Sequence, residues 1–254
     1  MAKIKKLLDE EPLDIAYEDS NILVVNKRPG ISVVDDKEDE HHLTRRVIAH
    51  LILKGEFREG MDFPPAPCHR LDHYTGGLTI FAKTEDALDE MTAAFKERRV
   101  RKFYQCIVKG VPGVQSAELT HYLKKDASAA KVKIFDDPVK GSLPICTRFR
   151  VLKSSASVSL LEVELVTGRT HQIRAHLAHI GHPVLGDDKY GEWAFNRKYK
   201  ARYQALWAVE VRLYFAKTSA LAYLDGSIIR AGYVSFPEIA AGELLIDDTG
   251  KPQA

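Results

Sequence analysis

Apolar and polar residues alternate along this chain with two different periods, which predicts strands as well as helices. The β-branched run at residues 22–25 is followed by a proline-glycine pair, a combination typical of a strand that ends in a turn. Across residues 43–53 the apolar positions recur at helical spacing, and Gly55 follows shortly afterwards. This spacing predicts a helix that buries one face and ends at a glycine.

The middle of the chain contains further predicted strands and helices. Apolar runs at residues 78–82, 103–108 and 159–166 predict strands. Thr84 precedes one helical pattern and Thr170 precedes another. Because a threonine hydroxyl accepts a hydrogen bond from the first turn of a helix, we expect both threonines to act as N-caps.

Near the C-terminus, Asp225-Gly226 lies between two apolar runs at residues 221–224 and 227–229. This dipeptide is typical of two-residue turns and predicts a β-hairpin. Many strands, few helices and no regular strand-helix alternation predict an α+β fold, with a mixed, largely antiparallel β-sheet flanked by helices and loops. Since the chain has no internal repeat or flexible linker, we expect a single domain over residues 13–254 and an N-terminal extension over residues 1–12.

Composition narrows the class of protein only moderately. The chain has 254 residues, a hydrophobic content of 45% and a net charge of +2, so it can bury a core, and its global charge favours no particular partner. Its three cysteines are far apart in the sequence, which favours a reducing compartment and a cytoplasmic location. No apolar stretch is long enough for a signal peptide or a membrane span, so we expect no membrane association.

Two segments, at residues 69–72 and 168–174, combine a carboxylate with several cations. The carboxylate of Asp72 is a candidate nucleophile, general base or metal ligand, although a surface ion pair explains its own segment better. A nucleophilic role requires a second cation to pair with the carboxylate and aim it, and Arg174 is the natural candidate. Arg169 lies in the turn itself and is expected to meet solvent or phosphate.

Four histidines between residues 171 and 182 raise the question of a metal site. His176 and His179 are spaced for one helix face, but no cysteine or carboxylate nearby in the sequence completes a usual ligand set. The sequence therefore predicts no metal. We expect His69 and His171 to form hydrogen bonds with the backbone or to orient their neighbours.

Basic residues are clustered beside aromatic ones in several places. The run from Lys96 to Lys102 leads into Phe103-Tyr104, which is typical of single-stranded or flipped-base binding and also of an ordinary helix end. Similar clusters occur at residues 124–133 and 193–203. We predict one basic face, opposite an acidic face that includes Asp35 to Glu40, and favour a polyanionic partner.

Segments carrying this chemistry occur in a definite order along the chain. They are Val24-Val25-Asn26-Lys27-Arg28-Pro29-Gly30, His69-Arg70-Leu71-Asp72 with Thr75-Gly76-Gly77-Leu78, Arg101-Lys102-Phe103-Tyr104, and Thr167–His176 with Gly186-Asp187. In order and spacing they resemble the RluA-type RNA pseudouridine synthase family. The resemblance extends from about Tyr17 to about Tyr214.

The resemblance implies roles for individual residues. Asp72 matches the catalytic aspartate, Tyr104 the tyrosine that stacks on the target base, and Arg174 the arginine that pairs with the aspartate. Arg70 matches the arginine that helps to displace the target nucleotide. By the same resemblance we assign further RNA contacts to His69, Arg169, Lys102 and Leu206.

The activity implied is the isomerisation of uridines in ribosomal or transfer RNA to pseudouridine, without a cofactor or a metal. Asp72 would attack the sugar C1′ or the base C6, or assist through a glycal, while the target base is flipped out of its helix. RNA is the expected partner of a monomeric catalytic domain that has no separate N-terminal RNA-binding module. Target choice would then depend on the basic surface of the catalytic domain.

Two other functions fit parts of the pattern. The first is a catalytically inactive RNA-binding protein of the same fold, which the presence of Asp72, Tyr104 and Arg174 disfavours. The second is a hydrolase that uses Asp72 together with a histidine-bound metal. Replacing Asp72 by asparagine separates the enzyme from the RNA-binding protein, and a chelator tests the hydrolase.

Overall fold

The computed structural model describes residues 12–34, 42–58, 60–126, 130–247 and 249–252. Contacts divide these described residues into two compact units: those within the ranges 1–100 and 210–232 form the first, and those within 101–209 and 233–254 the second. Most of the predicted N-terminal extension and the acidic run from Asp35 to Glu40 lie outside the described residues. The expectation of one domain over residues 13–254 stays a prediction.

The first unit contains short strands with a helix on each face of its sheet. Its elements are β1 (Ile15–Glu18), β2 (Ile22–Lys27), α1 (Leu43–Leu53), β3 (Ala66–Pro67), β4 (Gly76–Ala82), α2 (Glu85–Lys96), a 3₁₀ turn (Ala222–Leu224) and β11 (Ile228–Arg230). Strand β2 pairs antiparallel with β1 on one side and with β4 on the other, and β3 pairs with the end of β4. Every residue of β2 and β4 is buried.

The apolar run of β2 is continuous because both faces of this strand are covered. Ile22 and Val24 belong to a core cluster that includes Met91 of α2. Leu23 and Val25 point the other way, as alternate strand residues must, and pack in a cluster with Val47 of α1. The two helices thereby fix β2 and β4, and the loop that carries Asp72 leads directly into β4.

The second unit is dominated by long antiparallel strands. Its elements are β6 (Ser116–Asp126), β7 (Lys131–Phe135), β8 (Leu143–Ser154), β9 (Val158–Leu165), α3 (Gln172–His179), α4 (Trp193–Lys198) and α5 (Glu238–Leu244). Strand β5 (Val100–Lys109) lies almost entirely in this unit, and β10 (Leu206–Leu213) begins in it and ends in the first. Within the second unit β5 pairs with β9, β9 with β8, β8 with β6 and β6 with β7, all antiparallel.

The predicted α+β class is confirmed, since antiparallel strands with few helices make up the described chain. Thr84 caps α2 as expected, with its hydroxyl accepting a hydrogen bond from the Ala87 backbone N–H at 3.2 Å. The predicted cap at Thr170 is wrong, because α3 begins after His171, which adopts a left-handed conformation with φ 52°. None of the helices in the described residues is long and apolar enough to cross a membrane.

The hairpin predicted around Asp225-Gly226 is also wrong. Residues 222–224 form a 3₁₀ turn, and β11 pairs instead with Glu210–Arg212 at the end of β10. Leu221 and Leu224 are buried in the core cluster of the first unit. Burial of these two leucines and a non-local strand pairing therefore override the local turn signal.

Candidate active site

The loop that carries Asp72 is held by backbone hydrogen bonds at several points. The Thr75 N–H donates to the Asp72 carbonyl at 3.0 Å, which closes a tight turn directly after the carboxylate. The carbonyl of His73 accepts a hydrogen bond from the Gly30 N–H at 3.0 Å, which ties this loop to the turn after β2. Asp72 itself is half-buried.

A buried lysine lies beneath this loop. Lys27 ends β2, is 1% exposed, and donates from Nζ to the carbonyl oxygens of Arg28, Ile31 and His73 at 3.0, 2.9 and 3.0 Å. Since an ammonium group has three donors, all of them are used. Burial lowers the pKa of Lys27 to about 7, and the negative charge of Asp72 opposes that change. Lys27 thus anchors the loop and interacts electrostatically with Asp72.

The two residues expected to contact RNA beside Asp72 occupy different environments. His69 is half-buried, packs its ring against Phe95 at a centroid distance of 5.0 Å, and accepts a hydrogen bond at Nε2 from the Ile80 N–H at 3.2 Å. This bond gives His69 the orienting contact with the backbone that its loop position suggested. Arg70 is exposed. RNA contacts of both residues stay predictions.

In the second unit, β5 carries Tyr104 and Lys102. Tyr104 is buried and lies opposite Val163 of β9. Lys102 is half-buried, and its Nζ approaches the backbone of Gly168, where an added Cβ would lie 3.5 Å away. Burial lowers the pKa of Lys102 to about 8. The structure therefore places Lys102, one of the predicted RNA contacts, against the turn at Gly168 that precedes α3.

Gln172, which the sequence did not single out, shapes the turn before α3. It is buried, and its side-chain NH₂ donates to the Cys146 carbonyl and to the Thr147 hydroxyl, both at 3.0 Å. Its side-chain oxygen accepts from the Thr167 hydroxyl at 2.9 Å and from the Arg169 N–H at 3.1 Å. One amide therefore fixes both ends of the turn against β8.

Arg174, the third residue of α3, forms a buried ion pair that the sequence did not predict. Its Nε and Nη2 donate to the two carboxylate oxygens of Asp187 at 2.7 and 2.9 Å, in bidentate geometry. The same Nη2 lies 3.2 Å from a carboxylate oxygen of Asp188, and the guanidinium lies over the ring of Tyr190. Pairing of Arg174 with Asp72, which belongs to the other unit, stays a prediction.

The carboxylate of Asp187 is also bound by the backbone. Burial alone would raise its pKa, but the hydrogen bonds and charge of Arg174 and the N–H groups of Tyr190 and Lys189 outweigh burial and lower it. Gly186, at φ 79°, precedes Asp187, and a Cβ there would lie 2.0 Å from the Tyr203 carbonyl oxygen. Only glycine fits this position, so the close approach of two backbone segments fixes where Asp187 stands.

The remaining predicted RNA contacts are placed at opposite extremes of exposure. Arg169 is exposed in the turn before α3, whereas Leu206 is buried at the start of β10. The neighbouring Trp207 is buried as well and packs edge-on against Tyr233. In the basic run, Arg99 pairs with Glu97 and Arg101 with Glu164, so part of that charge is already neutralised within the protein.

The sequence alone did not predict three supporting roles: the anchoring of the Asp72 loop by Lys27, the fixing of the turn before α3 by Gln172, and the pairing of Asp187 with Arg174. A lysine at the end of an otherwise apolar, fully buried strand was the available signal for Lys27. For Asp187 the signal was its place directly after a glycine in an ordered landmark. Nothing in the local pattern distinguished Gln172 from an exposed residue of a helix first turn.

Comparison with known proteins identifies the family. The family model described as RNA pseudouridylate synthase matches residues 21–179. An uncharacterized RNA pseudouridine synthase of Mycoplasma pneumoniae is 35% identical over 209 residues, which is 80% of this chain and 63% of that protein. The ribosomal large subunit pseudouridine synthase D of Zymomonas mobilis is 34% identical over 181 residues, 71% of this chain and 56% of the relative. The chain thus spans about 60% of the length of these relatives.

Solved structures agree on the fold. The human RNA pseudouridylate synthase domain containing 4 aligns with a TM-score of 0.71 at 23% identity and covers 96% of this chain and 95% of its own. The human domain containing 1 aligns with a TM-score of 0.67 at 24% identity, covering 94% and 97%. Identities this low support a shared fold and no more.

Proposed function

Because the chain belongs to the RNA pseudouridylate synthase family, we propose that it isomerises specific uridines in RNA to pseudouridine, with Asp72 as the nucleophile. The observation that carries this proposal is the extent of the family match. Residues 21–179 include Asp72, Tyr104 and Arg174, and also Lys27, which anchors the Asp72 loop. A match that missed any of these residues would leave the reaction without support.

The reaction needs no redox change and no added group. The bond between N1 of uracil and C1′ of the ribose breaks, the base rotates, and a bond forms between C5 and C1′. The hydrogen of C5 leaves as a proton and N1 takes up a proton, so the product is an isomer of uridine. A carboxylate held in a fixed loop suits the attack on C1′ or C6. The anchoring of the Asp72 loop by Lys27 and Gly30 supports this role, since a nucleophile must be held in a productive geometry.

We assign the remaining roles on the same basis. Tyr104 stacks on the flipped base and assists the loss of the C5 proton, and Arg174 supplies the positive charge that pairs with Asp72. The bidentate hold of Asp187 on Arg174 supports a fixed guanidinium at this place. Arg70 displaces the target nucleotide, and Lys102, Arg169, His69 and Leu206 line the path of the RNA.

The substrate class follows from the names of relatives. Synthase D of Zymomonas mobilis and synthase C of Vibrio cholerae are both named for the ribosomal large subunit. This favours ribosomal RNA, with transfer RNA as the second substrate class. We also propose that the protein acts as a monomer in the cytoplasm, and its three unbridged cysteines support a reducing compartment.

The proposal is tested with unmodified ribosomal and transfer RNA. RNA incubated with the purified protein is digested to nucleosides, and pseudouridine is separated from uridine by chromatography. We expect pseudouridine at one or a few positions in the wild-type reaction. No pseudouridine in either RNA pool would overturn the proposal.

Asp72→Asn distinguishes an enzyme from an RNA-binding protein of the same fold. The variant should form no pseudouridine while its RNA affinity stays within about a factor of ten of wild type, since a single charge contributes little to a surface of many phosphate contacts. Asp89→Asn is the matched control, because Asp89 is an exposed aspartate of α2, and it should retain full activity. Equal activity of the two variants would rule out Asp72 as the nucleophile.

A further inference from the structure

Three side chains from separate elements of the second unit converge at its surface. His121 lies in β6, Asp136 follows β7 directly, and His179 is the last residue of α3. His179 Nε2 lies 2.7 Å, and His121 Nε2 3.5 Å, from the same carboxylate oxygen of Asp136. One ligand atom from each residue lies within 4.8 Å of the other two.

A chain of hydrogen bonds fixes the direction of the His121 ring. His121 Nδ1 lies 2.7 Å from His176 Nε2, and His176 Nδ1 lies 2.9 Å from the Thr147 hydroxyl. Because a neutral imidazole has one donor and one acceptor, this chain is satisfied when His121 donates to His176 and His176 donates to Thr147. In that arrangement Nε2 of His121 presents a lone pair towards Asp136 and His179.

This arrangement has the features of a metal-ligating histidine. Imidazoles that bind a metal through one ring nitrogen are typically oriented by a hydrogen bond at the other, and here the partner, His176, is fully buried. Two imidazoles and one carboxylate are a usual donor set for zinc-class ions. The side chain of Asp136 is 77% exposed and that of His179 is 27% exposed, so both have room to adjust to the separations that shared coordination requires.

We propose that His121, Asp136 and His179 bind one divalent ion of the zinc class, with water completing its coordination on the exposed side. The bound ion links the C-terminal end of α3 to β6 and to the segment after β7. With the ion bound, α3 would be held at both ends: its C-terminal end by the metal, and its N-terminal end by the hydrogen bonds of Gln172 and the pairing of Arg174 with Asp187. All three ligands belong to the second unit, and the site does not depend on the proposed reaction.

The sequence argued against this site because no carboxylate lies near the histidines. Asp136 is 43 residues from His179, and His121 is 58 residues from it, so only the fold brings the three together. The helical pair His176 and His179, which suggested a metal, does not form the ligand set itself. His176 acts from the buried side as the residue that orients His121.

Zinc binding to the full chain, purified with a chelator and then freed of it, tests the proposal. Isothermal titration with Zn²⁺ should give one site per chain, and Co²⁺ as a spectroscopic probe should show the visible absorption of a nitrogen- and oxygen-ligated ion. Asp136→Asn and His179→Gln should each weaken Zn²⁺ binding about ten-fold or more. Both residues are exposed, so the variants should fold as wild type does.

Asp137→Asn is the matched control, since Asp137 is the next residue and is also exposed. Its Zn²⁺ affinity should equal that of wild type. An absence of Zn²⁺ binding by wild type would overturn the proposal, and so would equal affinities of the Asp136→Asn and Asp137→Asn variants, because the ion would then bind elsewhere. Both readouts are made without RNA, so failure of the proposed reaction leaves them unchanged.

Discussion

The loop that carries Asp72 and the first turn of α3, which carries Arg174, hold their charged side chains by opposite means. In the first unit a buried cation, Lys27, is solvated by three backbone carbonyls and supports a half-buried carboxylate. In the second unit a buried carboxylate, Asp187, holds a buried guanidinium in bidentate geometry. Both regions bury a cation. Lys27 is bound by neutral carbonyl groups, whereas Arg174 is in direct contact with the full negative charge of Asp187.

This difference has consequences for the protonation of the two anchors. Dipoles of carbonyl groups do not fully replace water around an ammonium, so burial lowers the pKa of Lys27 to about 7. A guanidinium stays charged, and the pKa of Asp187 is lowered by its partner, so both members of the pair are ionised at neutral pH. The stability of the Asp72 loop should therefore depend on pH near neutrality, whereas that of the first turn of α3 should not.

Breaking the buried ion pair of Arg174 and Asp187 should lower the free energy of unfolding the most. Asp187→Asn leaves the guanidinium of Arg174 buried without a full counter-charge, and should lower the free energy of unfolding by about 3–5 kcal/mol in urea denaturation. Asp188→Asn is the control: Asp188 also contacts Arg174 but its side chain is 62% exposed, so the loss should be under about 1 kcal/mol. Equal losses from both variants would contradict the assignment of Asp187 as the anchor.

Removing the buried cation should have a smaller effect. Lys27→Met keeps the length and bulk of the side chain but leaves three carbonyls without their donor, and should lower the free energy of unfolding by about 1–3 kcal/mol. Arg28→Met removes the neighbouring exposed cation and should change stability by less than about 0.5 kcal/mol. If Lys27→Met were as stable as Arg28→Met, the lysine would not anchor the loop.

The smallest expected difference between Lys27 and the Arg174–Asp187 pair is in how stability depends on pH. Folded Lys27 loses its proton as pH rises through about 7, whereas the unfolded chain keeps it to about pH 10.4, so between these pH values the unfolded state binds more protons. The stability of wild type relative to Lys27→Met should therefore rise with pH, by about 1 kcal/mol between pH 7 and pH 8.

The buried pair supplies the contrast in the same measurement. The lowered pKa of Asp187 means that its contribution is present above the unfolded pKa of an aspartate and is lost only as pH falls through the folded value. The stability difference between wild type and Asp187→Asn should be constant across pH 7–8. Two results would contradict the distinction between the two anchors. One is a stability difference between wild type and Asp187→Asn that rises from pH 7 to pH 8; the other is a difference between wild type and Lys27→Met that stays constant over this range.

Elements defined by local patterns were predictable from the sequence. The helix at residues 43–53, the strand that begins at Ile22 and the cap at Thr84 all agree with the structure, because apolar spacing and a capping hydroxyl act over a few residues. Asp72, Tyr104 and Arg174 were identified by their resemblance to a family, which the family match confirms while their roles stay proposals.

Features that depend on distant partners were not predictable. The turn at Asp225-Gly226 has the sequence of a hairpin, yet β11 pairs with β10 because Leu221 and Leu224 are needed in the core. The contact of Asp187 with Arg174, and that of Asp136 with His121 and His179, join residues that only the fold brings together. The preceding glycine marks the position of Asp187 but not its partner, and the sequence around Asp136 holds no sign of a ligand set, since a three-dimensional contact leaves no local periodicity.

The central claim, that Asp72 drives uridine isomerisation, is tested most directly by tritium release from RNA labelled at C5 of uridine. Each pseudouridine formed replaces the C5 hydrogen by the bond to C1′, so one tritium enters water per event. Wild type should release tritium in proportion to the target sites, and Asp72→Asn should release none above background. Release that is absent with wild type, or equal for the two proteins, would contradict the account.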